Sequence, residues 1–381
     1  MKRLLFVITT SDFGGTENFL YHLVTRIDRA RFEPFVCSLC PLGRVGQRIA
    51  DAGVPTVSLE LAPTARLPEL WSGVRRLAEL CGELRIDLIQ PLLYRANMLA
   101  VLAARRARNR PLVISGQRSL NPRGARLTVL GVQLTRRLAD GIIAVSPAVR
   151  DEIVRTERIA PERIEIIRNG VDTERYRPSD DGEPARERWG VSPQDLVIGA
   201  VGRLSKTKGF HHLLEAIALL RQRQLEPKLL IAGTGPEEQA LRAQAADLEL
   251  GTQVRLLGYH ADLQSFYSAL DIFALTSLAE GSPNALLEAM ASGCAVIATA
   301  VGGVTDIVGH EANGLLLPPS NPEVLADRLQ SLIENRGARH RLGQAARETI
   351  ETRFSLQRMV EQHEAYYARR LGLDRPESGI A

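Results

Sequence analysis

Two carboxylates at a fixed spacing are the residues best placed to do chemistry. They are Glu280 and Glu288, in Glu280-Gly281-Ser282-Pro283-Asn284-Ala285-Leu286-Leu287-Glu288. The apolar run 272–276 precedes them and is long enough for one buried strand. Residues 285–291 follow and are good helix formers. The pair therefore straddles a strand–loop–helix junction. Pro283 fits the first turn of a helix, where its missing N–H costs little. That helix start offers N–H groups and a positive dipole end, a natural seat for phosphate. Glu288 lies about 7.5 Å further up the helix axis. A diphosphate at the helix start would leave Glu288 near a ribose and Glu280 near whatever the diphosphate carries. This geometry suggests a nucleotide-sugar site. An exposed loop acid plus a solvated helix acid is the plainer alternative.

Cations stand at a second junction. Val201-Gly202-Arg203-Leu204-Ser205-Lys206-Thr207-Lys208-Gly209 follows the strand-like run 196–201, which places Arg203 and Lys208 at a strand's carboxyl end. A cation about 4 Å from a phosphate charge interacts by ~4 kcal/mol at an effective dielectric near 20. That matters most where charge develops on a leaving group. Lys206 reads as a solvated surface cation.

The elements that must position these groups alternate along the chain. In the first half, strand-like runs fall at 2–9, 35–39, 55–59, 88–92, 111–115, 141–145 and 164–167, with helix-like runs such as 18–27, 67–84 and 96–106 among them. A second series runs through 196–201, 228–232, 254–257, 272–276, 295–299 and 315–317. Alternation at this spacing implies parallel sheets covered on both faces. The fold class is α/β, with two facing Rossmann-like doubly wound domains. Ligands of such folds bind at the carboxyl ends of strands, so an interdomain cleft would hold the substrate. Residues 1–170 form the first domain, 171–195 a linker, 196–355 the second domain, and 356–381 a terminal helix plus tail. The linker contains 177–191, which is rich in Pro, Asp, Gly and Arg and has no periodicity. After the first strand, Gly14-Gly15 reads as a tight turn needing positive φ, or as a backbone left bare for a ligand. The Rossmann phosphate fingerprint is absent there. In Gly233-Thr234-Gly235 the third glycine is replaced by Glu238, which weakens a dinucleotide-oxidoreductase reading.

Bulk properties exclude other classes. The chain has 381 residues, is 45% hydrophobic and 24% charged, and carries a net charge of +4. That charge is too weak for nucleic acid, though it suits anionic ligands or an anionic membrane face. Arg118, Arg123, Arg126, Arg136 and Arg137 crowd one basic, amphipathic stretch. It reads as a helix on the sheet with a solvated arginine face, or as a peripheral membrane contact. No run approaches the ~18 apolar residues of a membrane span. Four cysteines fit a reducing compartment, and Cys37 and Cys40 read as small packing residues. A cytoplasmic protein is expected, at most peripheral on the inner membrane face.

Several short motifs occur in one order: Gly14-Gly15-Thr16-Glu17, Val145-Ser146-Pro147, Asn169-Gly170-Val171-Asp172, Gly202-Arg203 with Lys208-Gly209, Glu280-Gly281 with Glu288-Ala289-Met290-Ala291-Ser292-Gly293, and Gly302-Gly303 before Gly314-Leu315-Leu316-Leu317-Pro318. In these the chain resembles the retaining glycosyltransferases of family 4, which have the GT-B architecture. The resemblance covers roughly residues 1–370 and is most specific in the second half. It implies that Arg203 and Lys208 hold the donor diphosphate, Glu288 the ribose, Glu280 the transferred sugar, and the backbone of 283–287 the phosphates. Gly15 and Thr16 would close over the phosphates from the first domain, and the helix at 356–370 would cross back onto that domain. Arg203, Lys208 and Glu280 are the catalytic candidates. Arg95, Asn97 and Arg118 are the acceptor-side candidates.

Two departures bear on the acceptor. Many relatives carry a histidine where this chain has Gly116-Gln117-Arg118, and a glutamate where it has Thr305-Asp306. His22, the first-half histidine, sits where a packing role is expected. No Asp-x-Asp metal motif occurs, so neither metal nor cofactor is expected. The resemblance implies same-face substitution, with a departing phosphate oxygen taking the acceptor's proton. The expected function is transfer of a sugar from a UDP- or GDP-sugar to a saccharide or lipid-linked acceptor, in surface polysaccharide, lipopolysaccharide or glycolipid synthesis. A nucleotide-sugar epimerase and a non-catalytic sugar-nucleotide binder are the alternatives.

Overall fold

The structure is a computed structural model that describes residues 1–12, 14–120, 126–178 and 182–373, with backbone alone for 126–130, 132, 182 and 183. Arg123 and the tail from 374 lie outside the described residues. The chain divides into two compact units, Met1–Asn169 with Gln357–Ala381, and Gly170–Leu356.

In the first unit, strands β1 (Lys2–Ile8), β2 (Phe32–Ser38), β3 (Thr56–Ser58), β4 (Leu88–Leu92), β5 (Leu112–Gln117), β6 (Gly141–Ala144) and β7 (Ile164–Ile166) form one sheet. Helices α1 (Gly15–Arg26), α2 (Arg44–Asp51), α3 (Leu67–Glu83), α4 (Tyr94–Arg106), α5 (Arg126–Arg137) and α6 (Pro147–Glu157) connect them. The order is β3-β2-β1-β4-β5-β6-β7 and every pairing is parallel. Central β1 aligns Leu5 with both Phe35 and Ile89. Its residues Leu4 to Ile8 are wholly buried, because an all-apolar strand needs cover on both faces.

The second unit repeats the plan. Its strands are β8 (Val197–Val201), β9 (Lys228–Ala232), β10 (Val254–Gly258), β11 (Ile272–Leu275), β12 (Ala295–Thr299) and β13 (Leu315–Leu317), in parallel order β10-β9-β8-β11-β12-β13. Its helices are α7 (Gly182–Arg188), α8 (Phe210–Gln222), α9 (Glu238–Asp247), α10 (Gln264–Ser268), α11 (Asn284–Ala291), α12 (Val304–Ile307), α13 (Pro322–Glu334) and α14 (Arg336–Arg353). The stretch read as a linker differs from expectation. Val171 bridges to Ser355, α7 forms within it, and Val171, Ala185, Trp189 and Val191 join the second unit's core. Its high polarity hid these four apolar residues, of which Ala185 alone lies within α7.

Helix α15 (Leu356–Leu371) completes the first unit. Tyr367 stands edge-on to Phe6 and Phe32, with ring centroids at 6.3 and 6.1 Å, and donates its hydroxyl to Gln90 on β4. Among the described residues, no helix is long and apolar enough to cross a membrane.

The basic stretch also departs from both sequence readings at one residue. Arg136 is buried rather than solvated and pairs with buried Glu157, whose main-chain carbonyl accepts from Arg137 at 2.8 Å. Cys37 and Cys40 are buried and free, and burial pushes the Cys37 thiol up to about 12.

Candidate functional site

In the second sheet the strand order reverses between β8 and β11: β8 leads outward to β9 on one side, and β11 lies on the other. Crevices at the carboxyl ends of such neighbouring strands are where open α/β sheets bind ligands. Arg203 and Lys208 follow β8, and Glu280 follows β11. The switch point therefore gathers the two cations and the first acid.

Lys208 Nζ donates to Glu280 Oε1 at 2.6 Å, and Ser277 Oγ donates to the same oxygen at 2.6 Å. The acid is mostly buried, with a side-chain exposure of 10%, while the lysine keeps 25%. Sequence reasoning put Lys208 on a phosphate and Glu280 on a sugar; in the structure they pair with each other. The backbones are tied as well. Thr276 Oγ1 donates to the Lys208 carbonyl at 3.0 Å, Leu278 N–H to the Thr207 carbonyl at 2.8 Å, and Thr299 Oγ1 to the Ser277 carbonyl at 2.5 Å. Gly303 N–H donates to the Glu280 carbonyl at 3.0 Å. Thr276, Ser277 and Thr299 were missed from sequence, since small hydroxyl residues at strand ends give no spacing signal.

Two glycine features allow this closeness. Gly209 has φ +64°, and a Cβ there would stand 2.2 Å from the Thr276 carbonyl oxygen. Gly233 and Gly235 press the β9 loop onto the backbone that carries Arg203. Cβ atoms there would meet the Gly202 and Leu204 carbonyl oxygens at 1.9 and 2.3 Å. Leu204 N–H donates to the Thr234 carbonyl at 2.9 Å, and Glu237 N–H to the Leu204 carbonyl at 3.0 Å. The glycine pair thus serves strand-end packing. Arg203 itself is exposed and, among the described residues, has no hydrogen-bond or ion-pair partner.

Pro283 is the N-cap of α11 rather than part of its first turn, and its carbonyl accepts from Leu286 N–H at 3.2 Å and Leu287 N–H at 3.3 Å. Leu286 and Leu287 are buried beneath the helix, which leaves Asn284, Ala285 and Glu288 part-exposed on the other side. Gly281 and Pro283 are buried, and Ser282 is part-exposed. Glu288 Oε2 accepts from Tyr267 Oη at 2.8 Å. The residue is part-exposed, yet burial of its carboxyl group raises it to about 7, against the lowering effect of Tyr267 and Arg175. Tyr267, absent from the sequence reading, comes from α10.

The first-unit candidates lie along the carboxyl ends of β1, β4 and β5. Gly15 and Thr16 open α1. Gly14 is extended rather than left-handed. It is needed for room, because a Cβ would stand 2.3 Å from Glu17 Oε2. Glu17 is buried, accepts from Thr10 Oγ1 at 3.3 Å, and is held above the usual carboxyl range by burial. Asn97 is buried, donating to the Leu93 carbonyl at 2.8 Å and accepting from Ser115 Oγ at 2.5 Å. Arg95 donates to the Pro63 carbonyl at 2.7 Å. Arg118 stacks on Phe19 at 3.5 Å and donates to Asn169 Oδ1 at 2.5 Å; burial lowers it to about 9. Arg95 and Asn97 are thus engaged in bracing loops and strand ends. His22 lies beside Arg26, with Nδ1 at 2.8 Å from Arg26 Nη1.

Two parallel sheets, each with a switch point of the ligand-binding type, make up the GT-B arrangement. The "Glycosyltransferase Family 4" model matches residues 13–175 and the "Glycosyl transferases group 1" model residues 181–349. Together they span both units, and the chain belongs to the family 4 glycosyltransferases. It is similar to the capsular polysaccharide biosynthesis glycosyltransferase CapM of Staphylococcus aureus, 27% identical over 60% of this chain and 61% of that protein. A Campylobacter jejuni N-acetylgalactosaminyltransferase acting on a diphospho-undecaprenol-linked saccharide is 29% identical over 68% of this chain and 70% of its own. The chain spans 48% to 61% of the length of the first three curated relatives. Among solved structures, Anabaena Alr3699/HepE in complex with UDP superposes with a TM-score of 0.83 at 25% identity, covering 97% of this chain and 100% of that one.

Proposed function

We propose that this protein is a retaining glycosyltransferase that moves a sugar from a nucleoside diphosphate sugar to an acceptor hydroxyl without a metal. The observation that carries this reading is the Lys208–Glu280 pair at the β8/β11 switch point, with unpartnered Arg203 beside it and Glu288 on the adjoining helix. A diphosphate entering here meets Lys208, Arg203 and the α11 N-terminus, three sources of positive potential that neutralise it as a metal would. It would draw Lys208 toward itself and leave Glu280 Oε1 with Ser277 as its partner, able to accept from a sugar hydroxyl as well. Glu288 then grips the ribose.

In the transfer step, the bond from the anomeric carbon to the phosphate oxygen breaks and an oxocarbenium-like state forms, as in glycoside hydrolysis. The acceptor oxygen attacks the same face, and the departing phosphate oxygen takes its proton. Arg203 and Lys208 stabilise the charge that grows on that phosphate. UDP is the favoured nucleotide, supported by the UDP complex of the Anabaena chain. A saccharide or lipid-linked acceptor is supported by the capsular and undecaprenol-linked activities of the relatives.

The test is turnover on a panel of UDP- and GDP-sugars with saccharide and lipid-linked acceptors, with and without EDTA. The expected result is an acceptor-dependent product with the donor's anomeric configuration, unaffected by chelation. Arg203→Ala and Lys208→Ala should each lower kcat by about 2–4 kcal/mol of activation free energy. A product made from donor alone, or unchanged kcat in both variants, would refute the assignment.

A further inference from the structure

We infer that Tyr267 is a positioning residue for the nucleotide's ribose: its hydroxyl fixes one oxygen of Glu288 so that the other is presented to the sugar diol. The inference rests on the reading of Glu288 as the ribose acid.

Tyr267 is 1% exposed, and its hydroxyl donates to Glu288 Oε2 at 2.8 Å. A buried hydroxyl needs a partner, and a carboxylate accepting from one is held in a single rotamer. The ring itself is packed among other aromatics. Tyr176, Phe266 and Phe273 stand edge-on to it, with centroids at 5.8, 5.8 and 5.9 Å. Its main-chain carbonyl accepts from Cys294 Sγ at 3.4 Å. Behind Tyr176, Arg175 pairs with Asp262 at 3.0 Å, so the positive charge nearest Glu288 is already partly neutralised. Tyr267 is therefore the direct hydrogen-bond partner that aims the carboxylate. A ribose diol recognised by one carboxylate oxygen requires that oxygen to stay in place, since a site built on hydrogen bonds rejects ligands that lack the hydroxyls.

The experiment compares wild type, Tyr267→Phe and Glu288→Gln by calorimetric titration with UDP, GDP and their 2′,3′-dideoxy analogues. Wild type should prefer the ribonucleotide, and Glu288→Gln should cut that preference by about tenfold. Tyr267→Phe should cut it by about three- to tenfold while weakening dideoxy binding little. A merely structural defect weakens both ligands alike and leaves the ratio unmoved. An unchanged ratio in Tyr267→Phe, with the loss in Glu288→Gln, overturns the inference and spares the reading of Glu288. An unchanged ratio in Glu288→Gln overturns both, as does failure of wild type to bind either nucleotide. Should Tyr267→Phe not fold, a crystal structure of wild type with UDP decides. Retention of the Tyr267–Glu288 bond beside a ribose contact supports the inference. Both Glu288 oxygens on the ribose, with Tyr267 turned away, overturns it.

Discussion

At the scale of single residues, Glu288 carries the sharpest pH signature. Burial lifts its carboxyl from an ordinary value near 4.5 to about 7. The folded chain therefore keeps a proton there that the unfolded chain releases. For an acid shifted upward, the stabilising contribution is full below about 4.5 and is lost as pH climbs through about 7. Glu288→Gln should remove this loss, so its melting temperature should fall less than wild type between those two values. Ligand works in the opposite direction. Ribose hydroxyls that donate to the carboxylate favour its charged form, so nucleotide binding near neutral pH should expel a proton. Titrations in buffers of different ionisation enthalpy should then give apparent heats that vary more from buffer to buffer for wild type than for Glu288→Gln. Equal heats for wild type would show that nucleotide does not engage this group. The sequence made the two glutamates visible because their spacing crosses a strand–helix junction. It could not reveal that Glu280 rests against Lys208, or Glu288 against Tyr267, because those partners are 72 and 21 positions away and meet only through the sheet order.

At the scale of elements, the strands were the most legible part. Apolar runs such as 228–232, 295–299 and 315–317 coincide with β9, β12 and β13. A buried parallel strand has to be apolar on both faces, and that run is hard to mistake. The region 171–195 was misread because α7 is short and mostly charged, and it is held by a few apolar contacts rather than by periodicity. The turns at the site were legible only as glycines. Gly209 shows what such a turn does: it lets the Lys208 loop rest directly on the Thr276 carbonyl at positive φ. Gly209→Ala adds both backbone strain and a clash, and should destabilise the second unit by about 1–3 kcal/mol. It should also weaken nucleotide binding, because the carbonyl of Lys208 is pinned by Thr276 in the same contact. Urea denaturation with parallel binding measurements checks this. A loss below about 0.5 kcal/mol, typical of a neutral surface change, would contradict it.

At the scale of the whole molecule, the two units are built alike but closed differently. The second is continuous in sequence, whereas the first takes α15 from the far end of the chain. Tyr367 is fully buried there among Phe6 and Phe32. Tyr367→Ala should cost the first unit about 3–5 kcal/mol, as large-to-small changes at buried aromatic sites do. Chemical denaturation would record it as an earlier loss of first-unit structure, and a cost below about 1 kcal/mol would place Tyr367 outside the core.

The bond between Gln90 and Tyr367 joins residues 277 positions apart. Protein synthesis proceeds from the amino terminus, and units ordinarily fold as they emerge. Here the first unit lacks part of its core until the second has been made, and the faces of Phe6 and Phe32 that Tyr367 covers wait for α15 to follow.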